Sequence, residues 1–214
     1  MAAPDEVLWT GGAQWVGKTS VARQLARAHC LQLYECDYHD SRSHSWRVHA
    51  NPARYPAFSA FLARTADQNW VMTTPRDMTM RANAIFDERF DMVVEDLAPL
   101  PAELAFLVEG WCVRPRHLAP LLTDRSRAVF LVPSEAFVRR QIEVLERAGS
   151  ARHLGVSDAE RAQRNRLERD RLLASEVVED ARQNGFEVVT VDENGSIDEV
   201  TSLVQRLLRL PRHL

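Results

Sequence analysis

Short apolar runs alternate with longer amphipathic stretches, a rhythm that predicts strands followed by helices. The first run is residues 7–9, and residues 20–29 follow with Val21, Leu25 and Ala28 at helical spacing. Residues 31–36 alternate weakly, as a strand with a half-exposed edge does. Strand alternation then disappears over residues 41–101. Pro56 opens a segment with Phe58, Phe61 and Leu62, and Phe86, Phe90, Val93, Val94 and Leu97 line one face of another. Residues 93–96 alone could pass for an apolar strand ending in acids, but the three-to-four-residue spacing from Phe90 to Leu97 selects a helix, which Pro99 and Pro101 end.

Residues 104–109 and 128–132 are continuous apolar runs, the pattern of parallel strands covered on both faces. Residues 134–148 read as a helix followed by Gly149, and 157–160 as a capping box for a long helix that runs to Asn184 and Gly185. Residues 186–191 supply a fifth strand, and 196–199 a second capping box before a helix over 197–210 that Pro211 ends. Five strands interleaved with helices predict a three-layer α/β fold.

A chain of 214 residues, 45% hydrophobic and 27% charged, has material for one core with a small appended part. The expectation is a single domain, 1–214, with its core in 5–40 and 103–214 and a helical insertion over 41–102. A net charge of −3 gives no overall basic field, so neither nucleic acid nor a membrane is expected as a partner. Cys30, Cys36 and Cys112 are odd in number and lack metal-ligand spacing, which suits a reducing cytoplasm. The first residues carry no basic leader and no window approaches a membrane span, so a soluble, cytoplasmic protein is expected. Oligomeric state leaves no signal.

Gly12, Ala13, Gln14, Trp15, Val16, Gly17, Lys18 and Thr19 fit GxxxxGK[ST], placed between the first strand and the first helix, as that motif requires. Loop amides, with Ser20 in the following turn, and the positive end of the helix would face a polyphosphate. Lys18 would reach its β and γ phosphates, and the Thr19 hydroxyl would hold Mg²⁺. A dinucleotide fingerprint would need glycine where Gln14 stands and leaves Lys18 and Thr19 unexplained. Trp15 is bulky for such a loop, and its indole could face outward over a base.

Three further places carry chemistry. Asp37 follows the second strand at the sheet edge where ligands collect; it reads either as a catalytic carboxylate or as the cap of a turn. His39 is the alternative base. Glu109 closes the third strand and reads either as a partner of Mg²⁺ or as a cap for the next loop. Arg161, Arg164, Arg166, Arg169 and Arg171 crowd the start of the long helix; Arg166 and Arg169 share a face that could close on a triphosphate, although such a run is also how a solvated helix surface looks. The insertion adds Trp46, Trp70, Arg54, Arg76, Arg81 and Arg89, able to stack on a ring and pair with an anion.

From Lys18, Thr19, Asp37 and Glu109 with Gly110, the five-strand core resembles the small P-loop kinases, the group of nucleoside monophosphate, shikimate and gluconate kinases and chloramphenicol phosphotransferase. The insertion lies outside the resemblance. The stretch 165–174, NRLERDRLLA, looks like uncharacterised bacterial P-loop ATPases. The resemblance implies a P-loop NTPase fold with sheet order 2-3-1-4-5 and an arginine-rich lid, here about 149–171, with Arg166 and Arg169 as lid residues. It also implies that Asp37 contacts or activates an acceptor hydroxyl. Glutamate at 109 departs from the aspartate of the monophosphate kinases.

The expected activity is phosphotransfer from ATP, with Mg²⁺ on Thr19 and Glu109, to a hydroxyl of a small molecule, with Lys18, Asp37, Arg166 and Arg169 as catalytic groups. A nucleoside monophosphate kinase, which needs arginines rather than a base, and a nucleotide-dependent regulatory ATPase remain alternatives.

Overall fold

The computed structural model describes residues 7–101 and 103–211. The expected bounds at 1, 5, 102 and 214 fall outside the described residues.

Five strands, β1 (Leu8–Gly12), β2 (Gln32–Glu35), β3 (Phe106–Glu109), β4 (Ala128–Pro133) and β5 (Glu187–Val191), form one sheet in the order β2-β3-β1-β4-β5. Every neighbouring pair is parallel, with Leu8 opposite Leu107, Trp9 opposite Ala128, Glu35 opposite Glu109 and Val132 opposite Thr190 among the registers. The helices are α1 (Lys18–His29), α2 (Cys36–His39), α3 (Ser45–Ala50), α4 (Pro56–Leu62), α5 (Ala66–Trp70), α6 (Pro75–Leu97), α7 (Pro115–Leu118), α8 (Glu135–Val144), α9 (Glu146–Gly149), α10 (Ala159–Asn184) and α11 (Ile197–Leu207). A single wide turn, Asp40–His44, joins α2 to α3.

The continuous apolar runs of the strands resolve into two cores by strict alternation. Trp9, Phe106, Val108, Phe130 and Val132 pack on one face with Phe86, Phe90 and Val93 of α6 and Leu173 and Val177 of α10. Leu8, Leu107, Val129, Leu131, Val189 and Val191 pack on the other with Val21 and Leu25 of α1 and Val200 and Val204 of α11. A period of two with both faces covered leaves no polar position, so the pattern reads as unbroken. The two edge strands, β2 and β5, carry the exposed positions. Residues 93–96 are the last full turn of α6 before Leu97, as the spacing predicts.

Three local expectations change. The helix expected over 134–148 breaks at Leu145, whose backbone is extended, so α9 is a separate turn that contains Gly149. No residue of α8 is buried, so its apolar side lacks the packing that would hold one continuous rod. The cap of α10 is Asp158, which accepts from the Arg161 amide at 2.9 Å, and not a box begun at Ser157. The Ser157 amide is drawn instead to the Asp67 carboxylate of α5 at 2.8 Å. The box at Ser196 and Glu199 forms as expected, though α11 ends at Leu207 rather than 210.

Candidate active site

The loop from Gly12 to Thr19 leaves the centre of the sheet, because β1 lies between β3 and β4. Its first anchor is the Ala13 amide, which donates to the Leu131 carbonyl at 2.8 Å. Gly12 has φ +122°, and a Cβ there would sit 2.0 Å from that same carbonyl oxygen, so no other residue fits so close to β4. Ala13 and Val16 are buried, Gln14 and Trp15 half-buried, and Ser20 exposed. Gly17, with φ +84°, is the left-handed residue from which α1 starts, so the first amides of α1 carry no side-chain cap. Lys18, buried, reaches back across the loop and donates to the Ala13 carbonyl at 2.7 Å. Burial pushes its pKa down, while Glu109 and Asp37 support its charge and Arg114 opposes it.

Thr19 donates its hydroxyl to Glu109 Oε1 at 2.9 Å. Glu109 is 1% exposed, and burial pushes its carboxyl above the ordinary glutamate value, with Lys18 and Thr19 pulling the other way. The next amide, Gly110, donates to Thr10 O at 3.2 Å and not to the Glu109 carboxylate. A Cβ at Gly110 would meet Cys36 Cβ at 2.4 Å, so a glycine lets the ends of β2 and β3 meet. Cys36 and Cys112 are buried there and Cys30 is exposed; all three are free thiols.

Asp37 lies in the first turn of α2 without capping it. Its side chain is 62% exposed and accepts from Arg89 Nη2 at 3.0 Å. Arg89 also pairs with Asp40. Asp40 bonds His44 Nδ1 at 3.1 Å, and His44 Nε2 lies 3.0 Å from Asp96, which also accepts from Tyr34 at 2.6 Å and pairs with Arg47. Burial alone would raise the Asp96 carboxyl, but its bonds from Tyr34, His44 and Arg47 together hold it below the ordinary aspartate value. His39, the other expected base, stacks on Tyr34 with ring centroids 4.1 Å apart, and burial pushes its pKa down.

The arginines at the start of α10 divide. Arg161, Arg164 and Arg171 are exposed, a solvated surface. Arg166 and Arg169 are 4% and 5% exposed and face inward. Arg166 donates to the Ala148 carbonyl at 2.9 Å and sits 5.8 Å from the Trp15 ring centroid; Arg169 pairs with Asp170 at 2.6 Å and lies 5.1 Å from Trp70 and 5.0 Å from Trp111. The grouping of Asp40, His44 and Asp96, and the burial of Arg114, gave no readable signal. Asp40, His44 and Asp96 come together only in space. Arg114, fully buried and pushed down to about 10 by burial, donates to the Leu173 carbonyl at 2.9 Å.

The sheet edge thus gathers Lys18, Thr19, Glu109 and Asp37, with Arg89 behind Asp37. Among the described residues no group of three or more His, Cys, Asp or Glu could hold a metal, so the oxygens of Thr19 and Glu109 are a sparse pair. Sparse oxygen ligation fits Mg²⁺, which keeps waters and takes phosphate oxygens beside one or two protein ligands.

No family model matches this chain, and no curated protein matches it. Among solved structures, an uncharacterized protein from Eubacterium ventriosum ATCC 27560 aligns over 96% of this chain and 98% of its own at 15% identity, TM-score 0.46. A protein described as "a putative kinase" from Chloroflexus aurantiacus J-10-fl aligns over 96% and 97% at 12% identity, TM-score 0.40. Among the described residues no helix is long and apolar enough to cross a membrane.

Proposed function

We propose that the chain is an ATP-dependent phosphotransferase whose acceptor is a hydroxyl of a small molecule. The observation that carries this reading is the convergence at one sheet edge of a glycine-built loop, a buried ammonium, a hydroxyl–carboxylate pair and a solvent-facing aspartate. Loop amides and Lys18 are suited to hold the β and γ phosphates. Bound Mg²⁺, on Thr19 and Glu109, would neutralise phosphate charge; its presence would also offset the unfavourable burial of the Glu109 carboxylate.

Asp37 accepts the acceptor's proton as the bond between the γ phosphorus and the bridging oxygen breaks and the bond to the acceptor oxygen forms, leaving ADP. Arg89 turns the Asp37 carboxylate and is itself fixed by Asp40. Arg166 and Arg169 are already hydrogen-bonded or paired, so a role for them in transfer requires α10 to exchange those partners for phosphate.

The test is incubation with γ-labelled ATP and a panel of hydroxylated small molecules. Label in an organic product supports the reading. Label only in inorganic phosphate points to the regulatory ATPase, and absence of Mg²⁺-assisted nucleotide binding removes both.

A further inference from the structure

A cavity of about 250 Å³ lies beside Asp40 and Arg89, between the insertion and the start of α10. Two edge-to-face aromatic pairs line it: Phe61 with Trp70, centroids 6.1 Å apart at 88°, and Phe86 with Trp111, 4.8 Å apart at 65°. The Arg169 guanidinium lies near both tryptophans and joins the pairs. Such walls suit a flat apolar body and offer a polyhydroxylated chain few partners. Asn69, which also lines the cavity, is engaged: it accepts from Arg64 at 3.0 Å and donates to the Phe61 carbonyl at 3.1 Å.

Asp40 Oδ2, the acceptor on these walls, is taken by its ion pair with Arg89, and the polar atoms left over are donors. Arg89 Nε and Trp111 Nε1 are buried without a hydrogen-bond partner. Arg89 and Arg169 are paired with carboxylates, whereas Arg81 bonds only the Thr73 hydroxyl, at 2.9 Å, and has no carboxylate partner among the described residues. Unspent donors and an unneutralised cation call for a ligand that brings acceptors and negative charge.

We infer that this cavity receives the phosphoryl acceptor, and that the acceptor is a compact aromatic hydroxy acid, its ring between the aromatic pairs, its carboxylate toward Arg81 and its hydroxyl toward Asp37. The inference rests on the phosphotransferase reading and names its substrate class. In the transfer, the hydroxyl oxygen gains the phosphoryl group of ATP, its proton passes to Asp37, and ADP is released.

The experiment measures binding first, without nucleotide, by tryptophan fluorescence of the full chain with 4-hydroxyphenylacetate, benzyl alcohol and gluconate. The expected result is saturable binding of 4-hydroxyphenylacetate, at least about tenfold weaker binding of benzyl alcohol, and none of gluconate. Arg81→Met is expected to weaken 4-hydroxyphenylacetate about tenfold and leave benzyl alcohol and MgATP unchanged. Thr73→Val, which removes the side-chain partner of Arg81 but keeps its charge, is expected to leave the acid bound. Preference for gluconate, or an Arg81→Met variant that binds the acid as well as the parent, overturns the inference. So does intact MgATP binding with no affinity for the aromatic acid. Binding of the acid with label transferred from MgATP to another panel molecule but not to the acid overturns the acid's role as acceptor and leaves the phosphotransferase reading standing, whereas label in no organic product at all overturns that reading as well.

Discussion

Glu109 and Asp37 stand at the ends of adjacent strands, β3 and β2, and differ in almost every physical respect. Glu109 is sealed from water, held by the Thr19 hydroxyl, and kept by burial in a setting that disfavours its charge. Asp37 faces solvent and is steadied from behind by a series of polar contacts running from Arg89 through Asp40 and His44 to Asp96. A buried carboxylate gains from a permanent cationic neighbour, whereas an open one can exchange water for a substrate hydroxyl. On the proposed reading, the contrast would place metal and nucleotide at the centre of the sheet and proton transfer at its edge.

The strongest way to break that division is Asp37→Asn. Turnover is expected to fall by about 10²- to 10⁴-fold with nucleotide affinity nearly intact, measured by steady-state kinetics beside nucleotide titration. Equal losses in both would merge the two roles. Lys18→Ala comes next: MgATP affinity is expected to drop about 100-fold by calorimetry, since a charge-assisted bond to phosphate is lost, and unchanged affinity would remove the loop from the account. Glu109→Gln sharpens the comparison from the other side. It removes a costly buried charge, so the melting temperature should hold or rise, while the gain in nucleotide affinity on adding Mg²⁺ shrinks about tenfold. A fall in melting temperature would mean that the carboxylate is structural.

The smallest effect concerns what steadies Asp37. The Asp96 carboxyl is held below its unfolded value, so its contribution is present above that value and lost as pH falls through the lowered folded pKa. Asp96→Asn should therefore cost about 1–3 kcal/mol in urea unfolding at pH 7, and the two proteins should converge in strong acid. A gap that stays constant with pH would show that shape, not charge, is what Asp96 supplies.

Much of the fold could be read because strand burial and helix spacing are local records. The runs at 104–109 and 128–132 have no polar break, and the Phe90 to Leu97 spacing excluded a strand. The loop residues were legible because a glycine-built turn between strand and helix leaves a fixed spacing. What was not legible depends on contacts distant in the chain. Nothing near Asp40 tells that Asp96, more than fifty positions on, shares a histidine with it. The arginines of α10 look alike in sequence, yet Arg166 and Arg169 turn inward and Arg161, Arg164 and Arg171 outward, which only the packing against Trp15, Trp70 and Trp111 decides. The break at Leu145 was hidden because helix propensity runs through it and the lack of a buried partner for α8 does not show locally.

The bond from the Ala13 amide to the Leu131 carbonyl has a consequence for motion. It ties the loop's root to the seam between β1 and β4, the interior of the sheet, where opening demands that both covering layers part. Fraying of β2 or β5 at the rims can proceed while that root stays shut. In deuterated solvent the Ala13 amide should be among the last to exchange, and α8, with none of its residues buried, among the first. The chain then carries its glycine-built turn on its slowest-breathing part, leaving the surrounding helices free to adjust around a fixed point.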